Sequence, residues 1–271
     1  MIDITQIPSY AEGDYIQDGL LFCGKCNTQK QVLIDWLGGQ QIMPCLCKCG
    51  KESYEEERRR LKEMDRQIYI SNLRCEGIQD RTLRHKTFAS DDGANPRAYK
   101  TISRYASKWE QVKTENIGLM LWGDVGTGKT FYAACIANYL IDKGVPVMMT
   151  DFRRAVNYMS RNFDENRERF LKDMNKYDLV IFDDLGVERQ TEYMQEYVYD
   201  IINSRYKVGK PIVITTNLTL DEIKNASEMR LKRIYDRVQE MCVPVKFEGQ
   251  SRRQAEYAKK IDRMKTLLTE E

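Results

Sequence analysis

The sequence predicts an α/β fold: a five-stranded parallel sheet flanked by helices, with a small zinc-binding module in front of it. Three observations predict this. An apolar run ends in Gly123-Asp124-Val125-Gly126-Thr127-Gly128-Lys129-Thr130, and a helical pattern over residues 131–143 follows. Strand, glycine-rich loop and helix thus come in the order of a Walker A motif. Further apolar runs at 145–150, 177–182, 212–216 and 243–247 are spaced by helical stretches, the alternation of a parallel sheet. Five of the eight cysteines crowd into residues 23–49.

Across 271 residues, 43 lysines and arginines against 41 aspartates and glutamates leave a charge of +2. Net charge therefore selects no partner, and any nucleic-acid surface has to be a local patch. The length permits one substantial core and a small accessory module. No apolar run approaches the roughly 18 residues of a membrane span, and Asp3 interrupts the N-terminus before a signal-peptide core could form. A cytoplasmic protein with no membrane partner is expected, and in a reducing compartment clustered cysteines read as metal ligands before disulfides.

Taken in order, residues 1–52 read as the metal-binding, partner-interacting module. Cys23 and Cys26 form a Cys-x-x-Cys pair, an alternating stretch over 31–36 and a Gly38-Gly39 turn suggest a hairpin, and Cys45, Cys47 and Cys49 follow. Thiolates at this spacing reach one tetrahedral ion. Four of the five would bind, Cys23 and Cys26 as one pair, with the second pair left open among Cys45, Cys47 and Cys49. So small a module lacks its own core, so the metal would supply much of its folding free energy. Residues 53–73 read as a charged linker helix, with Glu55–Arg59 and Glu56–Arg60 at i,i+4 and a thin stripe of Leu61, Met64 and Ile68. Cys75, Cys135 and Cys242 read as small core residues. His85, the sole histidine, is given no catalytic role.

Residues 74–271 hold the sheet. A loop at 91–96 and a helix over 97–112 lead into the Walker A strand. Its glycines let the backbone turn N–H groups towards phosphate oxygens, and the helix N-terminus adds its positive end. Lys129 would reach the β- and γ-phosphates, and Thr130 would help hold Mg²⁺. A second strand then precedes a long charged helical region over 152–176. The run at 177–182 ends in Asp183-Asp184, a Walker B pattern, with Asp183 orienting Mg²⁺ and Asp184 placed to activate water. Met194, Tyr197, Val198, Ile201 and Ile202 recur at helical spacing, closed by Gly209 and Pro211. The strand at 212–216 has a polar tip, Asn217, able to hold the attacking water or the γ-phosphate. Thr219 and Glu222 fit a capping box. Arg230, Arg233 and Arg237 punctuate the next helix, and Arg252 and Arg253 begin the terminal one.

The Walker A octapeptide, Val180-Ile-Phe-Asp-Asp-Leu-Gly186, Ile214-Thr-Thr-Asn217, Arg233-Ile-Tyr-Asp-Arg237 and Phe247-Glu-Gly-Gln-Ser-Arg-Arg253 make the chain resemble the AAA+ ATPases. Within them it is most similar to DnaC-type replicative helicase loaders and the related transposase-helper ATPases, over roughly residues 75–260. The resemblance implies ATP, Mg²⁺ and, through the cysteine module, Zn²⁺ as cofactors. It implies an ATPase that places a replicative hexameric DNA helicase on single-stranded DNA, gripping the helicase through the N-terminal module. It further implies that Asn217 senses the γ-phosphate and that Arg253 is a second sensor on nucleotide in its own subunit. Arg237 would be an arginine finger completing a neighbour's site, with Arg233 nearby. A guanidinium suits each such role, and a finger acting in trans implies self-association.

Members of that family bind single-stranded DNA through the region after the second strand. Here Phe152, Arg153, Arg154, Tyr158, Arg161 and Phe163 mix cations with aromatics among the acids Asp164, Glu165 and Glu168. Asp184 stands where many members carry glutamate, a shorter reach expected to slow hydrolysis. Only about two dozen residues follow the last strand, so a truncated C-terminal lid is expected. Two rival readings remain: a transposase helper, against which the metal module argues, and a nucleotide-gated adaptor with negligible hydrolysis, which Asp184 keeps open.

Overall fold

The computed structural model describes residues 11–36, 38–161, 163–186 and 191–269. The chain divides into two units, Met1–Ile68 and Tyr69–Glu271. In the first, β1 (Tyr15–Gln17) and β2 (Leu20–Phe22) pair antiparallel across Asp18 and Gly19, whose φ values of 50° and 78° are those of a tight hairpin turn. β3 (Gln31–Trp36) pairs antiparallel with β4 (Gly39–Pro44), from Gln31 opposite Pro44 to Trp36 opposite Gly39. Among the described residues between 11 and 47 only Leu21, Cys23 and Cys47 are buried apolar groups. That is less buried apolar surface than short strands usually need to hold together by themselves. The charged stretch is one helix of 30 residues, α1 (Lys48–Gly77), which carries the chain from the first unit into the second and is longer at both ends than the linker the sequence suggests.

The second unit continues with α2 (Pro96–Ser107) and α3 (Trp109–Thr114), where the sequence pattern suggests one helix. Ser107 Oγ donates to Arg104 O at 3.0 Å at the end of α2, a bond that Ser103 also makes to Lys100 O inside it. Then come β5 (Gly118–Gly123), α4 (Lys129–Asp142) and β6 (Val147–Asp151). The long helical region is likewise two helices, α5 (Phe152–Met159) and α6 (Phe163–Met174), α5 ending where Ser160 Oγ bonds Asn157 O. β7 (Leu179–Leu185), α7 (Glu192–Val208), β8 (Ile212–Thr216), α8 (Leu220–Lys224), α9 (Met229–Met241), β9 (Cys242–Phe247) and α10 (Arg252–Thr269) complete it. The capping box at α8 is present: Thr219 Oγ1 accepts from Glu222 N, and Glu222 Oε2 accepts from Thr219 N.

All five strands of the large sheet pair in parallel, in the order β6-β7-β8-β5-β9. Side-chain alternation divides the core. Leu119, Leu121, Ile181 and Val213 face α2, α3 and α4, whereas Met120, Val180, Phe182, Ile212 and Ile214 face α5, α7 and α9. With both faces covered, the strands read as continuous apolar runs. Among the described residues no helix is long and apolar enough to cross a membrane. Cys135 and Cys242 are buried as expected, but Cys75 is exposed.

Candidate functional site

The loop after β5 is fixed by close packing. Gly126 (φ 84°) and Gly128 (φ 101°) adopt left-handed conformations that disfavour other residues. A Cβ on Gly126 would lie 2.1 Å from Ser251 Oγ, and one on Gly128 would lie 2.9 Å from Arg252 Nη1. Thr127 is buried and donates to Asp124 O at 2.8 Å, curling the loop, while Asp124 and Val125 are exposed at its tip. Lys129, in the first turn of α4, is buried and folds back to donate to Gly123 O (2.8 Å) and Asp124 O (2.7 Å). Burial lowers its pKa against the pull of Asp184 and Asp183.

Beside it, Thr130 Oγ1 donates to the Asp183 carboxylate at 2.9 and 3.0 Å. Thr215 Oγ1 donates to Asp183 Oδ1 at 2.5 Å and accepts from Asp184 N at 2.9 Å. Burial raises the Asp183 pKa, which these hydroxyl bonds partly offset. The β7–β8 register slips between Phe182 and Leu185, and Asp184 takes a left-handed φ of 58°, which aspartate tolerates better than most residues. The slip separates the two acids: Asp183 stays half-buried and Asp184 is exposed. Asn217 is exposed one residue beyond β8.

Strand order gives the cleft a direction. Thr130 and Asp183 meet on its β7–β8 side, and its other side lies towards β9. That side is held by groups the sequence reading does not single out. Buried Asn95 donates through Nδ2 to Thr127 O and accepts through Oδ1 from Glu248 N, each at 3.2 Å. Arg252 N donates to Gly126 O at 2.9 Å, and its guanidinium meets Asp92 at 2.5 Å and Asp91 at 3.5 Å. Tyr132 OH bonds Asp91 at 2.5 Å. Arg252 Nε is buried without a partner among the described residues. Arg253 is exposed on the first turn of α10, next to Arg252, whose N–H holds the loop.

Lys129, Thr130, Asp183 and Asp184 thus converge, whereas Arg237 has other neighbours. It pairs with Glu240 at 2.9 Å and lies 4.0 Å above the Tyr206 ring, while Tyr206 OH donates to Glu240 at 2.7 Å. Arg233 is exposed on the same helix. On α5 the stacking platform needs correction. Phe152 is buried and stacks on Phe182 at 4.5 Å, so it belongs to the core. Arg153, Arg154 and Tyr158 are exposed, as is Arg161 just after the helix; the Phe163 side chain lies outside the described residues. Arg154, Tyr158 and Arg161 line a cavity of about 450 Å³ with Phe170 and Tyr177.

In the N-terminal unit, the sulfurs of Cys23, Cys26, Cys47 and Cys49 all lie within 4.8 Å of one another. Cys45 is left out, its Sγ directed to Gln29 O at 3.5 Å, so the second pair is Cys47 and Cys49. A tetrahedral ion with bonds of about 2.3 Å needs sulfurs about 3.8 Å apart. The contacts of 3.5 Å (Cys23–Cys49) and 3.3 Å (Cys47–Cys49) come near that. The donor chemistry also fits. The Cys49 N–H and Thr28 hydroxyl bring the Cys26 thiol down to about 5, and N–H groups of Cys26 and Lys25 lower Cys23. Hydrogen bonds to the sulfurs of Cys47, Cys23 and Cys26 push the Cys49 thiol up to about 12, a shared proton whose place a divalent cation would take.

A profile of the IstB-like ATP binding protein family matches residues 51–260. The chain is 26% identical over 147 residues to the replicative helicase loader DnaI of Bacillus subtilis (strain 168), covering 50% of this chain and 47% of that protein. It is 29% identical over 119 residues to the replicative helicase loader DnaC of Escherichia coli (strain K12), covering 43% and 47%. The chain thus spans about half the length of these curated relatives. A crystal structure of the DnaC helicase loader superposes with a TM-score of 0.54 at 25% identity, over 62% of this chain and 100% of that one.

Proposed function

The chain belongs to the IstB-like ATP-binding protein family and carries an AAA+ ATPase fold. From that premise we propose that it loads a replicative hexameric DNA helicase onto single-stranded DNA, switching by ATP binding and hydrolysis. One observation carries this reading: the chain that holds the Walker A loop and its two acids also holds a four-cysteine cluster, which lies outside the family match. The cleft is a switch, and the cluster builds an added surface for a client. A transposase helper needs only the matched part.

In this reading Lys129 leaves the two carbonyls it holds and turns to the β- and γ-phosphates. Thr130 and Asp183 hold Mg²⁺, which supplies charge neutralisation at the phosphates. Asp184 accepts a proton from the attacking water, Asn217 orients that water, and Arg253 stabilises charge from its own subunit. Arg237 enters a neighbour's site once freed from Glu240 and Tyr206, which makes the ATPase dependent on self-association. Arg153, Arg154, Tyr158 and Arg161 take the DNA strand. Cys23, Cys26, Cys47 and Cys49 hold Zn²⁺ and shape the helicase-binding module at residues 1–52, joined by the helix at 53–73 to the ATPase domain at 74–271.

The test is retention on the source cell's hexameric replicative helicase, with ATP and Zn²⁺ present. The full chain is compared with a Cys23→Ser/Cys26→Ser variant. Retention of the native chain alone supports loader and module together. Equal retention moves the grip to the ATPase unit, and no retention of either removes the loader reading. Turnover measured with and without single-stranded DNA decides against a silent adaptor if DNA raises it.

A further inference from the structure

We propose that the exposed stripe of α1 is a self-association surface, through which two copies of the chain pair residues 54–68 as a parallel two-stranded coiled coil. Tyr54 (52% exposed), Leu61 (55%), Met64 (51%) and Ile68 (57%) are solvent-facing, although nothing in the charged surroundings requires apolar groups there. Tyr54, Leu61 and Ile68 are spaced by seven, and Met64 falls three after Leu61. With Leu61 at an a position, Met64 is a d and the stripe follows an a/d seam. Such spacing keeps one narrow face aligned along about 22 Å of helix, which suits a second helix better than a broad core.

Charge selects a second copy as the occupant. In this register Arg60 is a g residue and Asp65 an e residue five positions later, the pair that meets between parallel strands. In a homodimer the pairing occurs twice, Arg60 to Asp65 and the reverse. Neither side chain is in an ion pair among the described residues. The flanking g/e pairs, Ser53 with Arg58 and Gln67 with Asn72, bring no like charges together. Core layers then select the direction. A parallel pair stacks Leu61, Met64 and Ile68 on their own copies and sacrifices one layer to Glu57. An antiparallel pair sets Ile68 against Glu57 at both ends.

This inference does not rest on the loader reading or on Arg237. Two heptads make a weak dimer, so the association is expected at micromolar or higher concentration. The test is sedimentation equilibrium of the full chain without nucleotide, from about 1 to 200 µM, beside Leu61→Asp. The substitution lies on an exposed face, so circular dichroism is expected to be unchanged. The native chain should dimerise reversibly, and Leu61→Asp should raise the dissociation constant about tenfold or more. In a Cys75→Ser background, Leu61→Cys should form a disulfide with its own copy on mild oxidation. A chain monomeric throughout, or a dimer indifferent to Leu61→Asp, overturns the proposal. Cross-linking only between mixed Leu61→Cys and Met64→Cys chains overturns the parallel arrangement.

Discussion

Burial raises the Asp183 pKa above the ordinary carboxylate value, so the folded chain holds that proton more tightly than the unfolded chain does. The destabilisation this implies is absent below the ordinary aspartate pKa, grows as pH rises through the raised one, and is constant above it. Asp183→Asn removes the ionisation while keeping an acceptor for Thr130 and Thr215. At pH 7 it should raise stability by about 1 kcal/mol, or about 2–4 °C in Tm, with the gain vanishing in acid. Thermal melts at pH 7 and near pH 3.5 check this, alongside the loss of ATP turnover. Thr215→Val should act differently. Removing the hydroxyl that orients both acids should lower turnover about tenfold or more while leaving nucleotide affinity within a few-fold, as steady-state kinetics and equilibrium titration would show. The sequence marks Lys129, Thr130 and both acids because a glycine-rich loop and an acid-tipped strand leave local patterns. Thr215 was not legible in the same way. A polar residue in an apolar strand announces that it has a partner, but Asp183 is brought to it only by strand order.

At the level of elements, the loop after β5 depends on segments far from it in sequence: Asn95 on one side, and Ser251 and Arg252 on the other. Gly126→Ala sets a Cβ against Ser251 in a left-handed conformation, so it should weaken nucleotide binding by an order of magnitude or more. It should also cost about 1–2 kcal/mol of stability. A fluorescent-nucleotide titration and a urea melt measure the two effects. The alternation of strands and helices was readable because buried parallel strands are nearly pure apolar runs. The breaks after Ser107 and Met159 were not, since neither is marked by a glycine or a proline. Phe152 was misplaced for a similar reason: an aromatic beside arginines looks like a stacking platform until the sheet shows which face it occupies. In the cysteine cluster, spacing supplied five donors and only backbone geometry turned Cys45 away. Chelation should therefore abolish hydrogen-exchange protection over residues 11–47 while the ATPase unit keeps its cooperative melt. Protection unchanged by chelation would remove the metal from the account of this unit.

For the whole molecule, the arrangement of arginines sets the argument. Arg253 lies in the first turn of the helix whose first residue packs on the loop before Lys129, whereas Arg237 is occupied by Glu240 and Tyr206. If Arg237 acts in trans, the cleft and the finger of one active site come from different copies, joined head to tail. Two inactive variants should then complement each other. Lys129→Ala lacks nucleotide binding but offers its finger, and Arg237→Ala binds nucleotide but lacks a finger. Each alone should show little stimulated turnover. In an equimolar random mixture, half the clefts can bind nucleotide and half of their neighbours can supply an arginine, so about a quarter of native turnover should return. The Arg237–Glu240 pair lies at the surface, where solvent screens it, so releasing it presents no serious barrier to assembly. Titrating one variant against the other distinguishes the alternatives. A maximum near equal proportions places Arg237 in the neighbour's site, whereas activity that stays at the sum of the two variants confines each active site to a single chain.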